Sequence, residues 1–412
     1  RFLLVGWMGE QETKAQQHLY QLGLLSLALN RTLVLPTVKR SRFGTCYNHP
    51  FSLYYAEDTL ARFGIPYITS DDFWAWTDRQ RSAPSAQVIS LNRGRLQPPD
   101  ENGLTPERMC LSERSLDFGE FASKAFSSPS NDGKSAEVRE QFGINVVQTL
   151  LEQERTPDTD GDVRTPAVLV TDVHLRYPFL SPSLVTRLSP FDFPSPSEYG
   201  YMDYAEHWRT LGETIASSLS PFVAVHWRTE TLPVETLRPC GDALVASLEA
   251  IKREHPEIKT VYLATDYPLE VVRSSGAGSR GEEKATAHSG TMTKTLTPAH
   301  HAAMRAFLGK IEGSAFRVTT FLEEQARVTL PDELRKAVGA GGLQDLDGAI
   351  VGIVDKIVLM QAEIFYAGLP VSESDHGCAK LSQFTTQVVN ARHDLVAEDS
   401  SRLWNKVGHF AL

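Results

Sequence analysis

The residues best suited to chemistry stand at the ends of apolar runs. Val223-Ala224-Val225 leads into His226-Trp227-Arg228-Thr229-Glu230, which sets an imidazole and a guanidinium two residues apart. Alternation along a strand turns both to the same side. A guanidinium is a fixed fork of donors that matches phosphate oxygens in pairs. Pairing of Arg228 with Glu230 is the plainer alternative. A second run, Val261-Tyr262-Leu263, ends in Ala264-Thr265-Asp266. The hydroxyl and carboxylate there suit a base or a ribose, and Asp266 ahead of Pro268 also suits a helix cap. Further on, Asp355 is followed by Gln361-Ala362-Glu363-Ile364-Phe365-Tyr366 and then Leu381-Ser382-Gln383-Phe384-Thr385-Thr386. Ser382 precedes the last expected helix. A helix start gathers N–H groups without intrahelical partners and a positive dipole end, which favours phosphate. A plain Ser cap is the alternative.

The first turn offers Gly6-Trp7-Met8-Gly9-Glu10-Gln11-Glu12-Thr13. Its glycines, Gly9 included, let a ligand approach the backbone. Glu10 or Glu12 is a candidate general base, and two solvated carboxylates near a helix start are the alternative. The segment is not G-x-G-x-x-G, so a dinucleotide fingerprint is absent. Asp158-Thr159-Asp160-Gly161-Asp162 begins like a calcium loop, but Leu169 stands where that loop needs Glu. It and Asp345-Leu346-Asp347 are D-x-D pairs of the kind metal-dependent sugar transferases use. Neither follows a strand, and both are discounted. His300-His301 is expected to be solvated. The acceptor pattern Asn30-Arg31-Thr32 is expected to be too packed for glycosylation. No P-loop, H-E-x-x-H or G-x-S-x-G occurs.

Positioning these groups requires alternating strands and helices. Phe2–Gly6 reads as a buried strand, Ala15–Leu29 as a helix and Thr32–Leu35 as a strand stopped by Pro36. This β-α-β opening is the unit of a parallel sheet. Residues 37–165 are irregular, with a strand at Gln87–Leu91 and a helix near Ala136–Glu152; Ala167–Thr171 is a clear strand. Pro178–Glu198 is rich in Ser and Pro and reads as a linker. Beyond a helix at Met202–Leu219, strands at Phe222–His226, Thr260–Ala264, Phe316–Thr320 and Glu363–Tyr366 alternate with helices at Asp242–Glu254, Pro298–Leu308, Leu346–Gln361 and Leu381–Arg392. That pattern predicts a doubly wound domain. The expected division is 1–198 and 199–412. Ser274–Thr297 reads as a low-complexity loop.

Composition bounds the function. The chain has 412 residues, 41% hydrophobic and 22% charged, with a formal charge of −10. At about 150 residues per domain it makes two or three domains. An acidic chain is a poor coat for nucleic acid or an anionic membrane. No run approaches the roughly 18 apolar residues of a membrane-spanning helix. Four cysteines without a C-x-x-C pair argue against a cysteine zinc site, and either free thiols or two disulfides are open. The chain opens inside a strand without Met, so a preceding signal or anchor is expected to be missing from it.

Taken in order, these segments resemble the GDP-fucose-dependent fucosyltransferases, above all the protein O-fucosyltransferases. The resemblance rests on His226-Trp227-Arg228, Ala264-Thr265-Asp266, Asp355, Gln361-Ala362-Glu363, Ser382-Gln383-Phe384-Thr385, Arg392 and the early Leu29-Asn30-Arg31-Thr32-Leu33. It spans nearly the whole chain and is strongest in the second half. The first turn lacks the family's Asn, and Gly368–Lys380 looks inserted. The resemblance implies an α/β fold of the GT-B kind, two Rossmann-like domains facing a cleft, with the acceptor on the first and GDP-fucose on the second. It implies inverting, metal-independent transfer of fucose to a hydroxyl, on Ser or Thr of a protein, with no cofactor. Arg228 and the helix start at Ser382 would neutralise the diphosphate, with Gly9, Gln383, Phe384 and Thr385 also in the nucleotide-sugar site. His226, Asp266 and Asp355 would hold the guanosine, and Glu10 or Glu12 would meet the acceptor hydroxyl. The expected compartment is the lumen of the endoplasmic reticulum or Golgi, with Cys46–Cys110 and Cys240–Cys378 bonded. Another nucleotide sugar, a glycan acceptor or a non-catalytic binding role on the same scaffold stay open.

Overall fold

The computed structural model describes residues 1–93, 105–111, 116–128, 135–153, 165–175, 177–230, 232–269, 296–314, 316–328, 347–370, 377–380, 382–398 and 406–412. The chain forms two compact units, Arg1–Glu206 and His207–Leu412.

The first unit is built on an eight-stranded sheet. Its strands are β1 (Phe2–Met8), β2 (Thr32–Val34), β3 (Thr37–Lys39), β4 (Arg42–Gly44), β5 (Tyr67–Ile68), β6 (Ala86–Arg93), β7 (Lys124–Ser128) and β8 (Val168–Val173). The parallel part runs β5-β2-β1-β8-β6-β7, and β4 pairs antiparallel with β1 and β3. Every residue of β8 is buried, as expected for a central parallel strand covered on both faces. The helix Glu12–Ala28 is buried nearly all round, and its polar residues are put to use. Gln21 Oε1 accepts from the Phe179 and Leu180 amides at 2.8 and 2.6 Å, and Gln16 Oε1 accepts from the Met202 amide at 2.9 Å.

Those bonds correct the expected linker and boundary. Residues 178–198 are not a tether. Phe179 and Leu180 are buried, Ser181 caps the helix Pro182–Leu188, and the Tyr20 hydroxyl donates to the Ser197 carbonyl at 2.5 Å. The next segment joins the same unit through Ala205 N–H to the Tyr54 carbonyl, at 3.0 Å, and Ala56 N–H to the Asp203 carbonyl, at 2.9 Å. The division therefore falls after Glu206 rather than after residue 198, and the following helix starts at Glu206 rather than Met202.

Two local expectations also change. Asn30 is exposed, in a left-handed turn at φ 48°, while its neighbour Arg31 is buried and donates to the Phe2, Pro166 and Ala167 carbonyls. The packed residue of that pattern is thus Arg31, not the Asn. His18 is buried in the core of this unit. Burial, helped by the Lys14 charge, lowers its pKa from 6.5 to about 4. The unfolded chain then takes the proton first, so this contribution to stability is complete above pH 6.5 and is lost as pH falls toward 4. His18→Leu is expected to flatten the acid limb of a Tm-against-pH profile; an unchanged slope would contradict this account of the buried imidazole.

The second unit has a five-stranded, fully parallel sheet in the order β11-β10-β9-β12-β13. The strands are β9 (Phe222–Trp227), β10 (Thr260–Thr265), β11 (Arg317–Thr319), β12 (Ile364–Gly368) and β13 (Lys406–Phe410). The order turns between β9 and β12, the place where open α/β sheets bind ligands beyond the strand carboxyl ends. Val223, Val225 and Trp227 point into a core filled by Leu237, Leu244, Phe307 and Ile311. These come from helices Val234–Glu254 and Pro298–Gly313. Alternation sends Ala224 and His226 to the other face. The four sequence-read strands are present within a residue or two of their expected ends, and β13 is an addition. His300 and His301 are buried, against expectation. His300 closes a capping box with Thr297, and His301 Nδ1 meets the Tyr267 hydroxyl at 2.5 Å.

Cys46 is bonded to Cys110 and Cys240 to Cys378, one disulfide in each unit. No helix among the described residues is long and apolar enough to cross a membrane. Asp158–Asp162, residues 274–295, and Asp345 with Leu346 lie outside the described residues. Asp347 caps the helix Gly348–Gln361, its Oδ1 accepting from the Ala349 amide at 2.9 Å.

Candidate active site

The site of the second unit is assembled where β9 ends and the helix Gln383–Glu398 begins. His226 Nδ1 lies 2.8 Å from Thr385 Oγ1. The His226 ring stacks on Phe384, with centroids 4.5 Å apart and planes 18° apart. Sequence positions far apart thus meet through one hydrogen bond and one ring contact. Ser382 is buried, and its carbonyl accepts the Thr386 amide at 3.0 Å, which starts the helical ladder. Beyond it, the first-turn N–H groups of Gln383, Phe384 and Thr385 have no intrahelical partners to use.

The same face carries charged groups drawn from the helix Gly348–Gln361. Asp355 is buried and its Oδ1 accepts from the Tyr262 hydroxyl at 2.6 Å. Tyr262 pairs in register with Ala224, so it lies on the His226 face of the sheet. Burial raises the Asp355 pKa from 3.8 to about 7, with the Tyr262 bond pulling the other way. Lys356 is buried as well, its Nζ 5.2 Å from the Phe384 ring centroid. Burial lowers the His226 pKa from 6.5 to about 3, and the Arg228 and Lys356 charges push the same way. His226 is therefore a neutral imidazole at neutral pH, one ring nitrogen a donor and the other an acceptor.

Arg228 follows β9 directly. Its guanidinium contacts Glu230, as the plainer sequence reading allowed; the Arg228 side chain is 30% exposed and that of Glu230 6%. Among the described residues, Asp266 serves the turn after β9 rather than a helix start. Its carboxylate accepts from the Thr229 amide, the Thr229 hydroxyl and the Glu230 amide, each at 2.8 Å. Burial raises its pKa, and those three bonds oppose the rise. Asp266 thus fixes the turn that carries Arg228. Thr265 Oγ1 donates to the Trp227 carbonyl at 2.8 Å, and Trp227 Nε1 donates to the Cys378 carbonyl at 3.2 Å. The Cys240–Cys378 disulfide therefore steadies the residue just before Arg228.

His226, Phe384 and Thr385 are brought together, with Arg228, Asp266, Asp355 and Ser382 on the elements around them. Gly9, Glu10 and Glu12 belong to the first unit. The Gly9 amide donates to the Val173 carbonyl at 2.9 Å, and the Gly9 carbonyl accepts from Arg42. Both backbone groups thus serve the unit itself. Glu12 is buried; its Oε1 accepts from the Tyr55 and Tyr204 hydroxyls at 2.5 and 3.1 Å and from Gln16 at 3.3 Å. This carboxylate ties the helix to the tyrosines. Glu10 is half-buried in the turn. Sequence reasoning missed the roles of Tyr262 and Lys356. The signal for Lys356 was legible: Asp355-Lys356 is the one charged pair inside the apolar run Gly348–Met360.

No protein-family model matches the chain, and no curated protein matches it. Among solved structures, the chain is similar to POFUT1 in complex with GDP-fucose, at 13% identity and a TM-score of 0.47 over 95% of this chain and 93% of that one. It is similar to POFUT1 in complex with GDP, at 12% identity and a TM-score of 0.47 over 100% and 99%. It is also similar to the fucosyltransferase NodZ from Bradyrhizobium, at 13% identity and a TM-score of 0.37 over 94% and 92%.

Proposed function

We propose that this protein transfers fucose from GDP-fucose to a hydroxyl acceptor, by an inverting route that needs no metal, with Ser or Thr of a protein as the acceptor. One observation carries the reading. The His226–Arg228 strand end and the Ser382–Thr385 helix start converge at the turn of the second unit's strand order. A guanidinium and a helix start are each phosphate-binding groups. A neutral imidazole and a buried carboxylate supply fixed hydrogen-bonding groups of the kind a purine and its ribose need.

In this reading the GDP diphosphate exchanges with Glu230 for the Arg228 guanidinium and takes N–H groups from the helix start. As the bond from the anomeric carbon to the β-phosphate breaks, negative charge grows on the leaving oxygen. Arg228 and the helix dipole stabilise that charge most where it is largest. The sugar passes through an oxocarbenium-like state, as in glycoside chemistry. Asp266 keeps Arg228 on its turn, and Asp355 with Tyr262 holds the nucleoside end. The first unit would receive the acceptor. One disulfide in each unit supports folding in an oxidising lumen, that of the endoplasmic reticulum or Golgi.

The test is nucleotide release from GDP-fucose, UDP-galactose and ADP-glucose with a chelator present. Release of GDP alone is expected. Release of UDP, or activity only after a divalent ion is restored, would contradict the reading.

A further inference from the structure

We propose that Asn30 carries an N-linked glycan whose first N-acetylglucosamine seats in a cleft between the end of the helix Glu12–Ala28 and residues 191–194. The inference rests on the lumenal part of the reading above, since that compartment supplies the glycan donor, and goes beyond it. Asn30-Arg31-Thr32 is the one N-x-[ST] pattern in the chain. Expected to be packed, Asn30 is instead exposed, and the buried residue is Arg31, the middle position that the pattern leaves open to any type but Pro.

Asn30 stands just past the helix, at φ 48°. Its N–H donates to the Leu27 carbonyl at 3.1 Å, and the Arg31 N–H donates to the Ser26 carbonyl at 2.8 Å. This is the left-handed closure of a helix, which glycine or asparagine fills. A cap alone accounts for an Asn here, but not for what lies beside it. A cleft of about 390 Å³ opens against Asn30, with Leu27, Ile65, Phe191, Phe193 and Pro194 in its lining. Leu27 and Ile65 are buried, while Phe191 and Phe193 are only half-buried. Ser189 ties this wall to the helix: its Oγ donates to the Ala28 carbonyl and accepts from the Phe191 amide, each at 3.2 Å. Attachment point and cleft therefore belong to one fixed piece of the first unit.

A pyranose has polar edges and apolar C–H faces, and a phenyl ring offers such a face an apolar surface. The cleft falls in the range of small-molecule sites, roughly 300–1,000 Å³. A sugar linked to Asn30 is held at high effective concentration beside it, so a contact too weak for a free sugar suffices. Transfer acts on the extended chain, so Thr32 is read before β2 takes it into the sheet. In the step, Asn30 Nδ2 forms a bond to the anomeric carbon of an oligosaccharide carried on a polyprenyl diphosphate. The carbon–oxygen bond to the diphosphate breaks, and the lipid diphosphate leaves with that electron pair. The Nδ2 proton passes to a base of the transferring enzyme.

The test is secretion of the full chain from eukaryotic cells behind a heterologous signal peptide. Mass spectrometry is expected to find one glycan in the wild type and in Thr32→Ser, and none in Asn30→Gln or Thr32→Ala. An endoglycosidase that leaves only the first sugar then isolates the seat. Single-sugar wild type is expected to melt above Asn30→Gln, and single-sugar Phe193→Ala above Phe193→Ala, Asn30→Gln by about 2–4 °C less. The cap cost of Asn30→Gln is common to both pairs and drops out of that difference. A secreted chain with both disulfides formed and no glycan would overturn the proposal and leave the lumenal reading standing. Equal gaps in the two pairs would overturn the seat. Reduced cysteines in the secreted chain would strike the lumenal reading and the proposal with it.

Discussion

Arg228→Ala is expected to lower turnover of GDP-fucose by about 10² to 10³-fold, the usual cost of losing one donor aimed at developing charge. The guanidinium stands at the end of β9, on the turn that Asp266 fixes with three hydrogen bonds. Its contact with Glu230 shows a side chain already set to receive a carboxylate-like or phosphate-like fork. Arg228→Lys is expected to recover only part of the loss, because an ammonium cannot donate in parallel to two oxygens. Removing Arg228 also strips the cation from the buried Glu230. The double variant Arg228→Ala, Glu230→Gln separates that folding cost from the catalytic one: it is expected to regain thermal stability and to stay inactive. Steady-state rates and Tm for the three variants decide the matter. Near-normal turnover in Arg228→Ala would contradict the assignment.

The second large effect is structural. Arg392 is fully buried in the helix Gln383–Glu398. It donates to the Leu359, Met360 and Ala362 carbonyls at 2.9, 3.2 and 2.7 Å and to the Glu363 carbonyl at 3.4 Å. These are the last carbonyls of the helix Gly348–Gln361 and of the link into β12, which would otherwise end without partners. One side chain thus joins the helix that carries Asp355 and Lys356 to the helix that carries Phe384 and Thr385. Arg392→Met fills much of the volume but leaves those carbonyls bare, at about 1–3 kcal/mol for each one that finds no water. A net loss of about 3 kcal/mol is expected, which for a domain of this size lowers Tm by roughly 10 °C. GDP affinity should fall with it, since both walls of the site lose their common anchor. Thermal unfolding of the full chain reads the first effect and calorimetry the second. An unchanged Tm would contradict the anchoring role.

How much of this was legible in the sequence follows from the physics of each element. Strands β8, β9, β10 and β12 are mostly buried, so apolar residues dominate each. The polar residues closing those runs, His226, Arg228 and Asp266, are where the structure puts chemistry. Residues 37–165 were obscure for the opposite reason. Strands β3 and β4 have three residues each and are joined through Arg40 and Ser41 at positive φ, a turn that ordinary residue types do not advertise. Pro and Ser made 178–198 read as a tether, yet Phe179 and Leu180 are captured by the buried amide of Gln21. Strand β13 was missed because Lys406–Phe410 is short and holds Gly408, which Tyr366 requires: a Cβ there would lie 2.5 Å from its ring. The partners within the site, Tyr262 with Asp355 and Lys356 with Phe384, are tertiary contacts that no spacing encodes.

The most direct measurement is calorimetric titration of the full chain with GDP in the presence of chelator, followed by UDP and ADP. The account predicts that wild-type protein binds GDP in preference to the other two without a metal, and that Arg228→Ala loses most of that affinity. Absence of GDP binding, or binding of UDP only when a divalent ion is supplied, would contradict it.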